Sequence, residues 1–318
     1  MAAARTPAPG VTAVTVSARE QWEALFAHLS APHLPQSWCY GEGKRARGWD
    51  VERLVFVHGS EPIALSQVLV KRVLGIPVAA RVNRGPMFLS AGTGDDIQLE
   101  VMRAMRRRWR YGRRGLLLIA PALPQGESSA ALMRAAGYLR RSEFSWNSAL
   151  IGLTAPLDTI RARLSSKWRN HLNGAQRSGV QQCARADREA FDWMLERHAH
   201  NMERKGFVGP EVRFVRAVID SSPQDFRVFQ ASLGEEPCCG ILVARYGAHA
   251  ETYLSWTSDA GRRANAHHLL LWHVIADMKA AGCRALDLGG YSTTDKYGAY
   301  KRGMKGEEYC LSGEWLAI

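Results

Sequence analysis

The second half of the sequence contains three successive strand patterns that are joined by short loops and followed by a long apolar helix. The strands are predicted at Phe226–Ser232, Cys238–Tyr246 and Ala250–Trp256, and the helix from about Arg263 to Ala281. A further strand follows at Arg284–Leu288. Hairpins interrupted by helices do not repeat a strict βαβ unit, so the pattern predicts an α+β fold around mixed sheets.

The first half mixes the same kinds of element. Strands are predicted at Val51–His58 and Pro62–Val73, and a helix at Asp95–Arg113, in which apolar residues recur every fourth position. At 318 residues the chain exceeds one ordinary domain. We therefore expect a disordered tail at 1–10, an N-terminal domain at 11–154 and a C-terminal domain at 155–318. No residue-level similarity between the halves is visible.

The composition favours a cytoplasmic protein with polyanionic partners. The chain has 42 Lys and Arg against 30 Asp and Glu, a net charge of +12, which suits nucleic acid, nucleotide-linked substrates or an anionic membrane surface. No apolar run approaches the roughly 18–20 residues of a membrane helix, and the N-terminus lacks a signal-peptide pattern. The six cysteines form no C-x-x-C motif, which favours reduced thiols in a cytoplasmic protein.

Six sequence blocks, taken in order and spacing, resemble the FemAB-type aminoacyl and acyl transferases, which are relatives of the GNAT N-acetyltransferases. The blocks are Gln36–Lys44, Arg81–Leu89, Lys167–Val180, Glu203–Glu211, Tyr253–Trp272 and the segment from Leu286-Asp287-Leu288-Gly289-Gly290 through Tyr300-Lys301-Arg302-Gly303 to Gly313-Glu314-Trp315. The resemblance extends over nearly the whole chain. It implies two fused GNAT-like domains and an enzyme that forms an amide from an activated acyl donor.

In the best-known members of this family the donor is an aminoacyl-tRNA and the acceptor is the amine of a peptidoglycan precursor, nucleotide-linked or lipid-linked. The resemblance therefore implies that no cofactor is bound and that the donor arrives as a substrate. An acyl-CoA or acyl-carrier donor, with a sugar, exopolysaccharide or small-molecule amine as acceptor, is the alternative. A catalytically silent double-GNAT scaffold that binds RNA or a nucleotide-sugar is the third hypothesis.

Amide formation builds negative charge on the carbonyl oxygen of the donor, and the resemblance places a cationic Lys301 there. The family has an aromatic residue before this lysine, and Tyr300 occupies that position instead of the more usual Phe. Asp287 follows a predicted strand, where a carboxylate can accept a proton or orient the amine. It can equally cap the Gly289-Gly290 turn. Lys301, Tyr300 and Asp287 are the predicted catalytic residues.

Six residues are assigned to the acceptor. Some members of the family use a lysine at the end of the first block to hold phosphate, and an arginine in the Glu203-Arg-Lys-Gly-Phe block resembles a second phosphate ligand. Two aromatic residues of a predicted strand lie three positions apart, so they should face opposite sides of the sheet. Core packing or an ordinary surface charge is the alternative at each position. The predicted acceptor residues are Lys44, Trp38, Arg204, Lys205, Tyr253 and Trp256.

Two basic segments are assigned to the donor. Arg262 and Arg263 open the long apolar helix, whose N-terminus attracts phosphate, although the surrounding residues depart from the Gly-rich loop usual in acetyl-CoA-dependent relatives. The segment 103–114 holds seven arginines and no acid, a pattern that suits a tRNA backbone or a solvated helix face. Arg106, Arg107 and Arg110 represent it among the predicted donor-binding residues. The spacing of the histidines predicts no metal site.

Overall fold

A computed structural model describes residues 10–109, 115–143, 146–291 and 296–317. Up to residue 143 the elements are, in chain order, β1 (Val11–Thr15), α1 (Arg19–Phe26), α2 (Trp38–Arg45), β2 (Asp50–His58), β3 (Glu61–Val73), β4 (Ile76–Asn83), β5 (Met87–Phe88), α3 (Asp95–Arg108), β6 (Leu116–Ala120), α4 (Glu127–Ala135) and β7 (Leu139–Ser142).

The remaining elements follow residue 146. They are β8 (Asn147–Gly152), α5 (Leu157–Arg163), α6 (Ser166–Gln176), β9 (Val180–Arg185), α7 (Arg188–Lys205), α8 (Val212–Ser221), β10 (Phe226–Leu233), β11 (Glu236–Tyr246), β12 (His249–Thr257), α9 (Asp259–Arg263), α10 (Ala266–Ala280), β13 (Ala285–Asp287), α11 (Lys296–Arg302), β14 (Glu307–Cys310) and β15 (Glu314–Ala317). None of the described helices is long and apolar enough to span a bilayer.

Each of two compact units contains one mixed sheet, which confirms the predicted α+β class with two GNAT-like domains. The first sheet has the strand order β1-β2-β3-β4-β6-β15-β7, and β4 and β6 are parallel. The second has the order β14-β8-β13-β12-β11-β10-β9, and β12 and β13 are parallel. In both sheets an antiparallel run is followed by a helix and a parallel strand. The two units therefore share a topology that their sequences do not show.

The boundaries of the two units differ from the predicted division at residues 154 and 155. Of the described residues, 10–41, 48–109, 115–143 and 311–317 form the first unit, and 42–47, 146–291 and 296–310 form the second. The strand β8 pairs with β13 and β14 of the second sheet, whereas the C-terminal strand β15 pairs with β6 and β7 of the first. Backbone pairing with strands distant in the sequence sets these boundaries. Residues 1–9 of the predicted tail lie outside the described residues.

Helices cover both faces of the second sheet. Trp168 and Leu172 of α6 share a buried core with α10 and with Ile241 of β11. The neighbouring residue in β11, Gly240, pairs with Trp256, whose ring packs on α7 at 5.7 Å from that of Trp193. Successive residues of a strand point to opposite faces. The helix α7 therefore covers the face opposite to α6 and α10.

Two predicted helices have different limits in the structure. The arginine-rich helix α3 ends at Arg108, because Trp109 leaves the helical conformation at φ −111° and ψ 44°. The predicted helix from Arg263 to Ala281 is divided into α9 and α10 by Asn265, which adopts φ 53°. Left-handed backbone at Asn265 cannot continue a right-handed helix. The break places His267 and His268 in the first turn of α10.

The closeness of α9 to β11 depends on a residue without a side chain. A Cβ atom at buried Gly261 would lie 2.3 Å from the carbonyl oxygen of Cys238, which belongs to a buried strand backbone. We predict that Gly261→Ala lowers the free energy of unfolding by about 1–3 kcal/mol, because the backbone must move to admit the methyl group. Gly152→Ala is the control, since no atom lies within 4 Å of its Cβ position. Equal urea midpoints for the two variants would contradict this packing.

Candidate active site in the second unit

The turn after β13 is organised by a buried carboxylate. Asp287 is 2% exposed, and its Oδ1 accepts a hydrogen bond of 2.8 Å from the amide of Gly289 and another from the hydroxyl of Ser148. Its Oδ2 accepts a hydrogen bond of 2.6 Å from the hydroxyl of Tyr309. Three donors thus occupy both oxygens. This geometry matches the turn-capping alternative for Asp287, in which the carboxylate shapes the backbone that the next side chain contacts.

Lys301 lies on α11 and reaches the same turn. Its Nζ donates hydrogen bonds to the carbonyl oxygens of Gly289 at 2.9 Å and Gly290 at 3.2 Å, and it lies 5.6 Å from the ring centroid of Tyr291. A Cβ atom at Gly289 would lie 2.7 Å from the Thr252 carbonyl oxygen and 3.7 Å from this Nζ. A bare glycine backbone, held at φ 71°, therefore lets this turn approach Thr252 of β12, and it presents its carbonyl oxygen to the ammonium.

This position lies where two parallel strands separate. The pairing of β12 with β13 ends at Glu251 and Asp287, although β12 continues to Thr257. On its other edge β12 has a bulge, because Leu242 pairs with Leu254 and Val243 with Thr252. Tyr253 is the additional residue. Strands that part leave backbone donors and acceptors for a ligand, and bulges often occur beside active sites.

Tyr300, next to Lys301, is held by the first turn of α10. Its hydroxyl lies 2.8 Å from Nδ1 of His267, and the rings of Trp168 and His268 pack on it at centroid distances of 6.1 and 4.9 Å. His171 lies 3.3 Å from His268 between ring nitrogens. Nε2 of His267 is buried and has no hydrogen-bond partner among the described residues. The hydroxyl that replaces the family's usual Phe therefore has a specific partner.

The histidines beside Lys301 are held in the neutral form. Burial, together with the positive charge of Lys301, lowers the pKa of His267 to about 4. Burial and the charges of His171 and His267 lower the pKa of His268 to about 3. Burial also raises the pKa of Tyr291 to about 12, with a further contribution from Glu308. At neutral pH the ammonium of Lys301 is therefore surrounded by uncharged rings.

Of the remaining predicted residues in this unit, three basic side chains lie close together. Burial lowers the pKa of Lys205, and the charges of Arg262 and Arg204 lower it further. Such mutual repulsion is typical of a site that attracts an anion. Arg262 also pairs with Asp259 in the first turn of α9, and Arg263 is exposed. Two of the six predicted acceptor residues, Arg204 and Lys205, thus form one basic cluster with the predicted donor residue Arg262.

The other aromatic and basic predictions have packing partners. Trp256 lies 5.4 Å from the guanidinium of Arg197. Lys44, in the second unit, lies 4.1 Å above the ring of Phe214. In the first unit, Trp38 is stacked by the buried guanidinium of Arg53 at 3.5 Å. Trp38 is half-buried, and this contact gives it a packing partner within the first unit.

The arginines of α3 belong to the first unit and several are engaged there. Arg108 pairs with Glu52 at 3.0 Å, and Arg103 pairs with Glu100 at 3.0 Å. Arg106 is partly buried beside Gly137, whereas Arg107 is exposed. Arg110 lies outside the described residues. Of the three predicted donor arginines, Arg107 presents the most open cation in the described part of the chain.

The sequence did not identify His267, His268, Ser148 or Tyr309 as site residues. Adjacent histidines at the start of an apolar helix are the available signal for the first two, although their spacing does not suit a metal site. Ser148 and Tyr309 lie on strands that pair with each other around Asp287, so nothing local marks them. Among the described residues, no group of three or more His, Cys, Asp or Glu side chains is placed to hold a metal ion.

Comparison with known proteins supports an acyltransferase fold. Residues 161–302 match the model of the acetyltransferase (GNAT) domain. The structure of FemX is similar over 96% of this chain and 97% of its own, with a TM-score of 0.79 and 15% identity. The structure of a tandem GNAT protein from the clavulanic acid biosynthesis pathway is similar over 96% of this chain and 98% of its own, with a TM-score of 0.54 and 15% identity.

A third similar structure is the C-terminal domain of a putative lysylphosphatidylglycerol synthetase from Agrobacterium fabrum. It covers 95% of this chain and 92% of its own, with a TM-score of 0.56 and 14% identity. At these identities the structural likeness shows the fold alone. No curated protein sequence matches the chain. The predicted FemAB-like, GNAT-type fold is confirmed, and the GNAT domain includes Lys301 and the histidines around it.

The hydrogen bonds of Asp287 predict a mainly structural role. We expect Asp287→Asn to lower the free energy of unfolding by about 2–3 kcal/mol. The side-chain NH2 group of asparagine is a donor, so at least one of the three donors that now face Asp287 would lose its acceptor. Asp220→Asn, an exposed acid on α8, is the control. Thermal unfolding of both variants measures the difference. An Asp287→Asn variant as stable as the control would contradict the structural role.

The neutral histidines predict a loss of stability in acid. Their folded-state pKa values lie below the ordinary 6.5 or so, so the unfolded chain binds the extra protons. The stability that these neutral histidines contribute is fully present above about pH 6.5 and is lost as the pH falls toward 4. We expect His268→Phe, which keeps a packed ring, to lose less stability than the wild type between pH 7 and 4.5. Urea titrations with exposed His28→Gln as control test this, and identical pH slopes for wild type and His268→Phe would contradict it.

Proposed function

Because this chain is a GNAT-type acyltransferase with the fold of FemX, we propose that it transfers an aminoacyl group from an aminoacyl-tRNA to the amine of a peptidoglycan precursor. The observation that carries the proposal is the ammonium of Lys301 beside the point where β12 and β13 separate. A donor that lies along the separated strands brings its carbonyl to this cation.

The reaction forms a C–N bond and breaks the C–O bond of the aminoacyl ester. As the neutral amine attacks, its electron pair pushes negative charge onto the carbonyl oxygen, where the ammonium of Lys301 stabilises it. The proton of the amine passes to the departing ribose oxygen, which leaves as a hydroxyl. This route needs no proton transfer from Asp287, whose oxygens are engaged by Ser148, Gly289 and Tyr309.

Tyr300 and His267 position the cation in this mechanism. The hydrogen bond between the Tyr300 hydroxyl and His267 Nδ1 ties α11 to α10. A protonated imidazole at that place would compete with Lys301 for the developing oxyanion and repel the ammonium. The low pKa of His267 avoids this at neutral pH. The carbonyls of Gly289 and Gly290 hold the ammonium before the donor arrives.

The start of α9 supports a tRNA donor over an acyl-CoA donor. Ser258 Oγ already accepts the amide hydrogen of Gly261 at 3.1 Å, and Asp259 pairs with Arg262 in the same turn. A carboxylate and a hydroxyl thus occupy the helix end that would receive the diphosphate of CoA. The 3′-terminal adenosine of a tRNA, which carries the aminoacyl ester on its ribose, has no diphosphate that would need such a turn.

The basic cluster of Arg204, Lys205 and Arg262 supports an acceptor that carries phosphate. Three cations whose charges repel gain from a polyanion, and a nucleotide-linked or lipid-linked cell-wall precursor carries a diphosphate. We place the reaction in the cytoplasm, where such precursors and charged tRNA coexist. The free cysteines of the described structure fit a reducing compartment.

Removal of the ammonium should abolish most of the activity. We predict that Lys301→Ala lowers kcat by about 10²–10³-fold, which is typical of losing one oxyanion donor, and leaves the unfolding midpoint near that of the wild type. Mass spectrometry of products from charged tRNA and a cell-wall precursor measures turnover. Exposed Lys167→Ala on α6 is the control. Unchanged turnover in Lys301→Ala would remove this residue from the mechanism.

Charge reversal on α3 tests the donor. We expect Arg107→Glu to weaken productive binding of aminoacyl-tRNA and to reduce the slope of that binding against log salt concentration by the equivalent of about one phosphate contact. Exposed Arg163→Glu on α5 should do neither. KM for charged tRNA at several salt concentrations is the measurement. Transfer from acyl-CoA thioesters, with no transfer from charged tRNA, would instead establish the alternative donor. Tight ligand binding without transfer from either pool would favour the silent scaffold.

A further inference from the structure

The hairpin between β3 and β4 ends in a cluster of exposed apolar side chains. The side chains of Val73, Leu74, Ile76 and Val78 are 55%, 97%, 65% and 42% exposed. We call these four residues the hairpin tip. The tip belongs to the first unit and contains no residue of the candidate active site. Folding of the first unit leaves much of the apolar surface of the hairpin tip exposed, so the tip is not part of the core of that unit.

Leu74 is in a backbone conformation that leucine disfavours. Val73 pairs with Ile76, so Leu74 and Gly75 form a two-residue turn with φ values of 49° and 79°. Such turns favour Asn-Gly, because a leucine Cβ approaches the following carbonyl oxygen when φ is positive. Leu74 therefore strains the turn and remains almost fully exposed. Neither feature helps the chain to fold.

Basic and aromatic side chains flank the hairpin tip. Nζ of Lys71 donates to the carbonyl of Gly48 at 3.2 Å and lies 5.6 Å from the ring of Trp49. Within the described residues, Lys71 pairs with no carboxylate. Arg72 donates to the carbonyl oxygen of Gly75 at 3.0 Å and also pairs with the exposed carboxylate of Asp50. An apolar tip beside lysine, arginine and a partly exposed tryptophan is the composition of a membrane-interface anchor.

We propose that the hairpin tip docks this protein onto an anionic lipid bilayer. The four apolar side chains would enter the boundary between headgroups and acyl chains. Lys71 and Trp49 would remain at the headgroup level, where the net charge of +12 is attracted to anionic lipid. A second copy of the chain fits less well, because a stable protein interface buries about 800 Å² on each partner and this tip offers four side chains.

Vesicle binding tests the proposal without any acyl transfer. We expect the full-length protein to co-sediment at low salt with vesicles of phosphatidylglycerol and phosphatidylcholine, and much less with phosphatidylcholine alone. Leu74→Asn should lower the partition coefficient by about tenfold, the effect of removing one buried leucine side chain. It should also leave the unfolding midpoint equal or higher, because asparagine tolerates positive φ. Leu139→Asn, an exposed leucine on β7 (59% exposed), is the matched control.

The outcomes separate this proposal from the proposed reaction. Reduced vesicle binding by Leu74→Asn, with unchanged turnover of soluble substrates, supports membrane docking. Lys71→Glu should also weaken vesicle binding at low salt. Failure of the wild type to bind anionic vesicles, or equal binding by Leu74→Asn, overturns it. A change in the sedimentation coefficient of Leu74→Asn without lipid would assign the tip to self-association and also overturn it. None of these results depends on Lys301.

Discussion

The candidate site depends on the hydrogen bonds of one buried carboxylate. Asp287 fixes the amide of Gly289 and the hydroxyls of Ser148 and Tyr309, and the turn so formed presents two carbonyl oxygens to Lys301. A charged group this buried is stable only when each oxygen has donors. The strands that carry these donors come from distant parts of the chain. The position of the Lys301 ammonium therefore depends on correct pairing of the strands in the second sheet.

Pairing between strands that are distant in the sequence completes both sheets. The strand β8 opens the long segment of the second unit and pairs with β13, while β15 follows the second unit in sequence and pairs with β6 of the first sheet. Both sheets have the same order of antiparallel strands, helix and parallel strand. A topology shared without sequence similarity shows that burial pattern and hydrogen-bond pairing, rather than particular residues, specify this architecture.

The electrostatics of the second unit divide into two parts with different properties. Around Lys301 the histidines are neutral, so no imidazolium of His267 or His268 competes with its ammonium for a negative charge at neutral pH. Around Lys205 several cations repel one another, which favours a ligand with more than one negative charge. The proposed reaction, which joins a neutral carbonyl donor to a phosphate-bearing acceptor, would use both kinds of environment.

Sequence patterns alone determined the α+β class and the antiparallel run β10-β11-β12, because these follow from local periodicity. The resemblance to the FemAB-type family, rather than periodicity, pointed to the pair Tyr300 and Lys301. The sequence patterns could not determine the unit boundaries or the break at Asn265. They also left the roles of Asp287 and His267 open. Those features depend on which strands pair and which side chains become buried, and burial decides both hydrogen-bond partners and pKa values. Only the tertiary structure contains that information.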